Sequence, residues 1–125
     1  MTAEIADWLF HTIRREVTGA ETLAAETDLV AVLGERTLGL GEGGRFIDHI
    51  RSNSEAKIRI VELFTRNRAV LDGFEDRIRE GGSLTAGEAH ALAVAAIRDE
   101  VLSEALAETA YGYRLRPGWK EEWKP

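Results

Sequence analysis

The side chains able to do chemistry in this chain are few, and their spacing does not gather them. His11, His49 and His90 fall on three different predicted helices, and Glu88 and His90, two positions apart, point to different sides of one helix. There is no cysteine, which excludes a disulfide framework, a thiolate zinc site and a cysteine nucleophile together. The 22 acidic residues bring carboxylates close by chance, and no ordered motif turns any pair into an acid–base couple. The turn Gly39-Leu40-Gly41-Glu42-Gly43-Gly44 invites a phosphate-loop reading. A dinucleotide fingerprint needs a preceding strand, and a Walker-type loop ends in Gly-Lys-Ser/Thr; both are missing, so the turn reads as a flexible entry to a helix. No catalytic residue and no metal ligand is assigned, and the chain is not expected to be an enzyme.

The elements that would have to position a site are helical. Residues 2–18 form an amphipathic pattern in which Ile5, Trp8, Leu9, Ile13 and Val17 share a face, with Thr2 as N-cap, Glu4 in the first turn and Gly19 as the stop. Residues 20–40 read as a loop with one or two short helical turns. The apolar run Leu29-Val30-Ala31-Val32-Leu33 has no second strand to pair with, so a strand is rejected. A helix restarts near Gly43 with Phe46, Ile47 and Ile50 on one face, and Ser52 with Glu55 has the form of a capping box that opens another. From there to Glu80, Ile60, Leu63, Phe64, Leu71, Phe74 and Ile78 keep a helical period, with Glu62–Arg66 and Glu75–Arg79 as outer-face pairs. Gly73 leaves open whether this is one helix or two.

Gly81-Gly82 ends that segment, and Thr85 with Glu88 forms a second capping box. The alanine-rich helix that follows is expected to run to about Tyr113, with Val94, Ile97, Val101 and Leu102 as its larger apolar contacts and Pro117-Gly118 as its end. The polar tail WKEEWKP either folds back through its two indoles or inserts into a partner. Aromatic residues are enriched at interface hot spots, which makes Trp119 and Trp123 candidate partner contacts.

One stretch, Thr27 to Ile50, organises this reading. Asp28-Leu29-Val30-Ala31-Val32-Leu33-Gly34-Glu35-Arg36-Thr37-Leu38-Gly39-Leu40 matches, without a gap, the DLLxSGLIDSLGL type of motif of the acyl carrier protein family. The amphipathic helix before it, Arg45-Phe46-Ile47-Asp48 after it, the Ile58-Arg59-Ile60 step and the segment from Glu62-Leu63 to Ile78 also resemble that family in order. The resemblance covers about the first two thirds of the chain and implies an acyl-carrier-like helical bundle. In the family a serine carries a phosphopantetheine arm at the start of a helix, where the helix N-terminus stabilises the phosphodiester. Thr37 holds that position here, a more hindered secondary alcohol, and Arg36 replaces the preceding aspartate. The resemblance therefore implies a carrier-like protein without the arm and with no cofactor. The alternative is a working carrier with phosphopantetheine on Thr37. A partner enzyme would be met around this position, which makes Arg36, Leu38, Arg45 and Phe46 the expected contacts.

The 125 residues, net charge −6 and 44% hydrophobic content fit one soluble helical body. The acidic balance argues against a nucleic-acid partner, and no apolar stretch approaches the ~20 residues needed to span a bilayer. The start MTAEIADWLF lacks the basic-then-apolar pattern of a secretion signal, so a cytoplasmic location is expected. The expected fold is all-α: a carrier-like domain over 1–80, with an additional long C-terminal helix and Trp-containing tail over 81–125 packed on it. The expected role is binding a partner enzyme in a biosynthetic pathway. The rival is an unrelated structural or regulatory subunit, or a homo-oligomer through the alanine-rich helix. That rival predicts a long antiparallel hairpin over 54–80 and 85–113 in place of short carrier-type helices.

Overall fold

The structure is a computed structural model that describes residues 2–26 and 42–125; the side chains of 23–26 and 42–47 fall outside that description. It is all-α. Among the described residues, three α-helices, α1 (Thr2–Glu26), α2 (Glu42–Arg79) and α3 (Ala86–Tyr111), are followed by a 3-10 turn at Glu121–Trp123, and no strand occurs. The chain divides into two compact units, Met1–Leu9 with Arg59–Pro125, and Phe10–Ile58.

Helix α1 keeps the expected face, with Ile5, Leu9 and Ile13 buried and Trp8 and Val17 half-buried. It does not stop at Gly19 but continues to Glu26, so residues 20–26, expected as irregular, are helical. An exposed glycine weakens a helix by about 1 kcal/mol relative to alanine, and that alone does not end it. Helix α2 is likewise a single helix. The box at Ser52 and Glu55 opens no new helix, because backbone hydrogen bonding propagates through it from Glu42. Gly73 is exposed within the same helix and breaks nothing.

The core face of α2 keeps four of the six expected positions, with Phe64 and Leu71 buried and Ile60 and Phe74 half-buried. Ser54, Val61, Phe64 and Leu71 are buried at intervals of seven and three, a one-sided seam. Leu63 and Ile78, expected inside, are about half-exposed. On α3 two of the larger side chains expected as packing contacts lie outside the core. Ala95, Leu106 and Ala110 are buried, whereas Ile97 and Val101 are exposed. Alanines at the seam permit close approach of the helices, and Leu63, Val70, Ile97 and Val101 lie outside that contact.

Between α2 and α3 the chain reverses through a glycine C-cap. Gly81 has φ +82°, its N–H donates to the Ile78 carbonyl at 3.0 Å, and the Gly82 N–H donates to the Arg77 carbonyl at 2.8 Å. This is the Schellman arrangement, and glycine takes the left-handed position with no Cβ penalty. Helix α3 starts with the expected capping box: the Glu88 N–H donates to the Thr85 hydroxyl at 3.1 Å and the Thr85 N–H donates to the Glu88 carboxylate at 3.2 Å. The two helices run antiparallel. Arg77 pairs with Glu88, the Asn67 amide donates to the Ala95 carbonyl at 2.9 Å, and Arg68 meets Asp99 at 3.4 Å.

Beyond Tyr111 the chain tightens into three-residue turns. The Tyr113 N–H reaches the Ala110 carbonyl at 2.9 Å and the Arg116 N–H reaches the Tyr113 carbonyl at 2.8 Å. The helix therefore ends two residues before Tyr113, ahead of Pro117-Gly118. The tail folds back: Trp123 is 2% exposed, and its ring lies 5.3 Å from that of Trp8 and 5.7 Å from that of Trp119.

Candidate functional site

Two places on the described residues combine shape with chemistry: an apolar groove along the α2–α3 hairpin and the tryptophan cluster at the tail. The groove has a volume of about 880 Å³ and is open to solvent. Helix α2 supplies Leu63, Arg66, Asn67 and Val70, at the three- and four-residue spacing of one helix face. Helix α3 supplies a parallel row that includes Val94, Ile97, Arg98 and Val101. Ala95 belongs to both the buried seam and the groove wall, while Leu63, Val70, Ile97 and Val101 lie on a side of the hairpin that stays exposed among the described residues. Leu63 is 52%, Val70 50%, Ile97 63% and Val101 60% exposed. Single exposed apolar residues are ordinary, whereas these four form a contiguous row on two adjacent helices.

The charges at this groove are of one sign. Arg66 and Arg98 line it, and neither makes an ion pair or hydrogen bond among the described residues. Three other arginines of the hairpin are engaged, while Arg59 makes no ion pair among the described residues. Arg68 reaches Asp72 at 3.1 Å, Glu75 at 3.6 Å and Asp99 at 3.4 Å, Arg77 meets Glu88, and Arg79 reaches Asp76 at 3.1 Å. Glu75 thus pairs with Arg68 and not with the expected Arg79. The Glu88 carboxyl is held below its ordinary value by the Thr85 backbone N–H first and by Arg77 next.

At the tail, the Trp8 indole N–H donates to the Pro117 carbonyl at 3.0 Å, and Gly118 follows with φ +89°. A Cβ on Gly118 would lie 2.7 Å from Trp8 Nε1, so the close approach needs glycine twice over. Lys120 pairs with Glu4, which lowers the Glu4 carboxyl and raises the Lys120 amine from their ordinary values. The cluster is a packed closure, and Trp119, half-buried, is the more accessible of its two tail indoles.

The residues singled out by sequence are placed unevenly. Arg36, Thr37 and Leu38 lie outside the described residues. Arg45 and Phe46 fall in the first turns of α2, with their side chains outside the description. Trp119 and Trp123 are brought together with Trp8. His90 lines the groove, His11 stands edge-on to Phe10 at 5.6 Å, and His49 is exposed on α2. Among the described residues, no three histidine or acidic side chains converge as a metal site would require, and no helix is long and apolar enough to cross a membrane. Sequence reasoning missed the groove. The available signal was the spacing on α3, where Val94, Ile97 and Val101 repeat at three and four residues on the same groove wall as Ala95 and Leu102.

Comparison with protein-family models, with characterised proteins and with solved structures finds no match to this chain.

Proposed function

We propose that this chain is a non-enzymatic helical binding protein that takes a helical segment of a protein partner into the α2–α3 groove. The observation that supports this reading is the row of half-exposed Leu63, Val70, Ile97 and Val101 on two antiparallel helices. A two-helix layer cannot bury apolar side chains on its second face by itself, and the usual remedy is another helix laid across it. The helix lengths support the hairpin architecture of a structural or regulatory subunit, because α2 continues through the positions where short carrier-type helices would break. The test is quantitative affinity capture from the native cell with wild type and with Val94→Asp, after circular dichroism shows equal helicity. A defined partner set lost with the variant is expected. Retention of the same partners by the variant would sink the reading.

A second reading is a carrier-like protein that meets a biosynthetic enzyme, with or without phosphopantetheine on Thr37. It is favoured by the ungapped match from Asp28 to Leu40 to the carrier motif. Incubation with a phosphopantetheinyl transferase and coenzyme A, alongside a control carrier, tests the loaded form. A mass increase that disappears in Thr37→Ala supports loading, and no increase while the control is loaded excludes it.

A further inference from the structure

The charge pattern of the groove narrows its occupant. The chain as a whole is acidic, at −6, yet the charged side chains lining the groove are Arg66 and Arg98, with no carboxylate among the lining residues. Both guanidiniums are unpaired among the described residues, while Arg68, Arg77 and Arg79 each hold a carboxylate. Arginines without a carboxylate partner among the described residues also occur at Arg15, Arg59 and Arg116, so what sets Arg66 and Arg98 apart is their place, one on either helix beside an apolar floor, where they can receive carboxylates.

Resting on the groove as the binding surface, we infer that its occupant is an acidic amphipathic helix. Apolar residues at three- and four-residue spacing would fill the floor, and flanking Asp or Glu would meet Arg66 and Arg98. The α3 side of the groove, residues 90–102, is about 18 Å long at the helical rise, which fits a helix of roughly three turns. A second copy fits less well. A two-fold contact uses the same patch on both copies and would set Arg66 and Arg98 of one against those of the other. A flat bilayer surface would reach the exposed Ile97 and Val101 but not the floor between the helices.

The probe is a pair of fluorescein-labelled 16-residue helical peptides, identical in their leucine row and differing only in Glu or Lys at the flanking positions. Binding to the full chain is read by fluorescence anisotropy at low and moderate salt. Wild type should bind the Glu peptide about tenfold more tightly than the Lys peptide, as two partly exposed charge pairs allow, and added salt should shrink that ratio. The double variant Arg66→Glu, Arg98→Glu should invert the preference while keeping its helicity, because neither arginine holds the fold. Equal affinity for the two peptides, or a preference unchanged in the double variant, overturns the inference. So does wild-type dimerisation abolished by Val94→Asp, or binding to phosphatidylglycerol vesicles lost in the double variant. In those two cases the groove is still a binding surface with a different occupant. If neither peptide binds and Val94→Asp also leaves the captured partner set unchanged, the groove reading itself falls.

Discussion

The indole N–H of Trp8, on the first helix, donates to the carbonyl of Pro117, 109 positions later, at 3.0 Å. This bond and the rings of Trp119 and Trp123, 5.9 and 5.3 Å from Trp8, join the two ends of one compact unit. A tilted aromatic pair contributes about 0.5–1.5 kcal/mol beyond burial, and a net hydrogen bond about the same. Trp8→Phe keeps much of the ring contact and loses the donor, so it should lower unfolding free energy by about 1 kcal/mol. Trp8→Ala loses both and should cost about 2–3 kcal/mol, less than full burial would imply because Trp8 is only half-buried. Urea titration followed by circular dichroism measures both. Equal losses in the two variants would show that the hydrogen bond is irrelevant.

Gly118 is the neighbour that makes this approach feasible. With φ +89° and Trp8 Nε1 2.7 Å from where its Cβ would stand, Gly118→Ala combines left-handed strain with a direct clash. The strain alone is worth about 1–2 kcal/mol. The expected loss exceeds that of Trp8→Phe. In the Trp8→Ala background, where the clash is gone, Gly118→Ala should cost only the strain. A double-mutant cycle reads the difference, and strict additivity would contradict the geometry.

The Glu4–Lys120 pair makes the same closure sensitive to pH at both extremes. Lys120 holds the Glu4 carboxyl below its ordinary 4.5, so this contribution is complete above about pH 4.5 and is lost as pH falls through the depressed value. Glu4 raises the Lys120 amine above 10.5, so the contribution is complete below about pH 10.5 and is lost as pH rises through the raised value. All three tryptophans of the chain are in the cluster, which makes intrinsic fluorescence a direct report on it. The difference in stability between wild type and Glu4→Gln should be level at neutral pH and shrink at both ends. A difference that does not vary with pH would remove the pair from the closure.

The parts of the fold legible in sequence were those set by local chemistry. Thr85 with Glu88 and Gly81-Gly82 behave as their residue types dictate, because capping boxes and glycine C-caps are satisfied within a few residues. The face of α1 was legible because Ile5, Leu9 and Ile13 have polar neighbours on the opposite side. Ser52 with Glu55 misled for the opposite reason. A box competes with helix propagation, and here propagation through Ser54, buried in the helix, prevails. The alanine-rich α3 was the hardest to orient, since apolar residues surround it and periodicity alone does not say which row packs inward. Its groove row became distinct only when Arg68–Asp99 and Asn67–Ala95 fixed the register against α2.

Thr85 offers a direct measure of the turn that sets this register. Thr85→Ala removes the acceptor for the Glu88 N–H and should cost about 1 kcal/mol, and Thr85→Ser should restore most of it. Glu88 also pairs with Arg77 of α2, so loosening the cap should lower amide protection at both ends of the turn. Hydrogen exchange checks this. Protection lost on α3 alone would mean that the Arg77–Glu88 pair does not couple the helices.

Gly19 and Gly73 test the continuity of the two long helices. Each lies inside a helix with nothing within 4 Å of where a Cβ would be, so alanine fits without contact. Alanine also narrows the unfolded ensemble, and the gain should be about 0.5–1 kcal/mol at each site. For a chain of this size that corresponds to a rise of roughly 2–4 °C in Tm. A helix break at Gly19 or Gly73 would instead need glycine's backbone freedom, and alanine there would be neutral or destabilising. Because short carrier-type helices and one continuous α2 differ at Gly73, a Tm that falls in Gly73→Ala would argue for the former, and a Tm that rises would argue for the long hairpin that forms the groove.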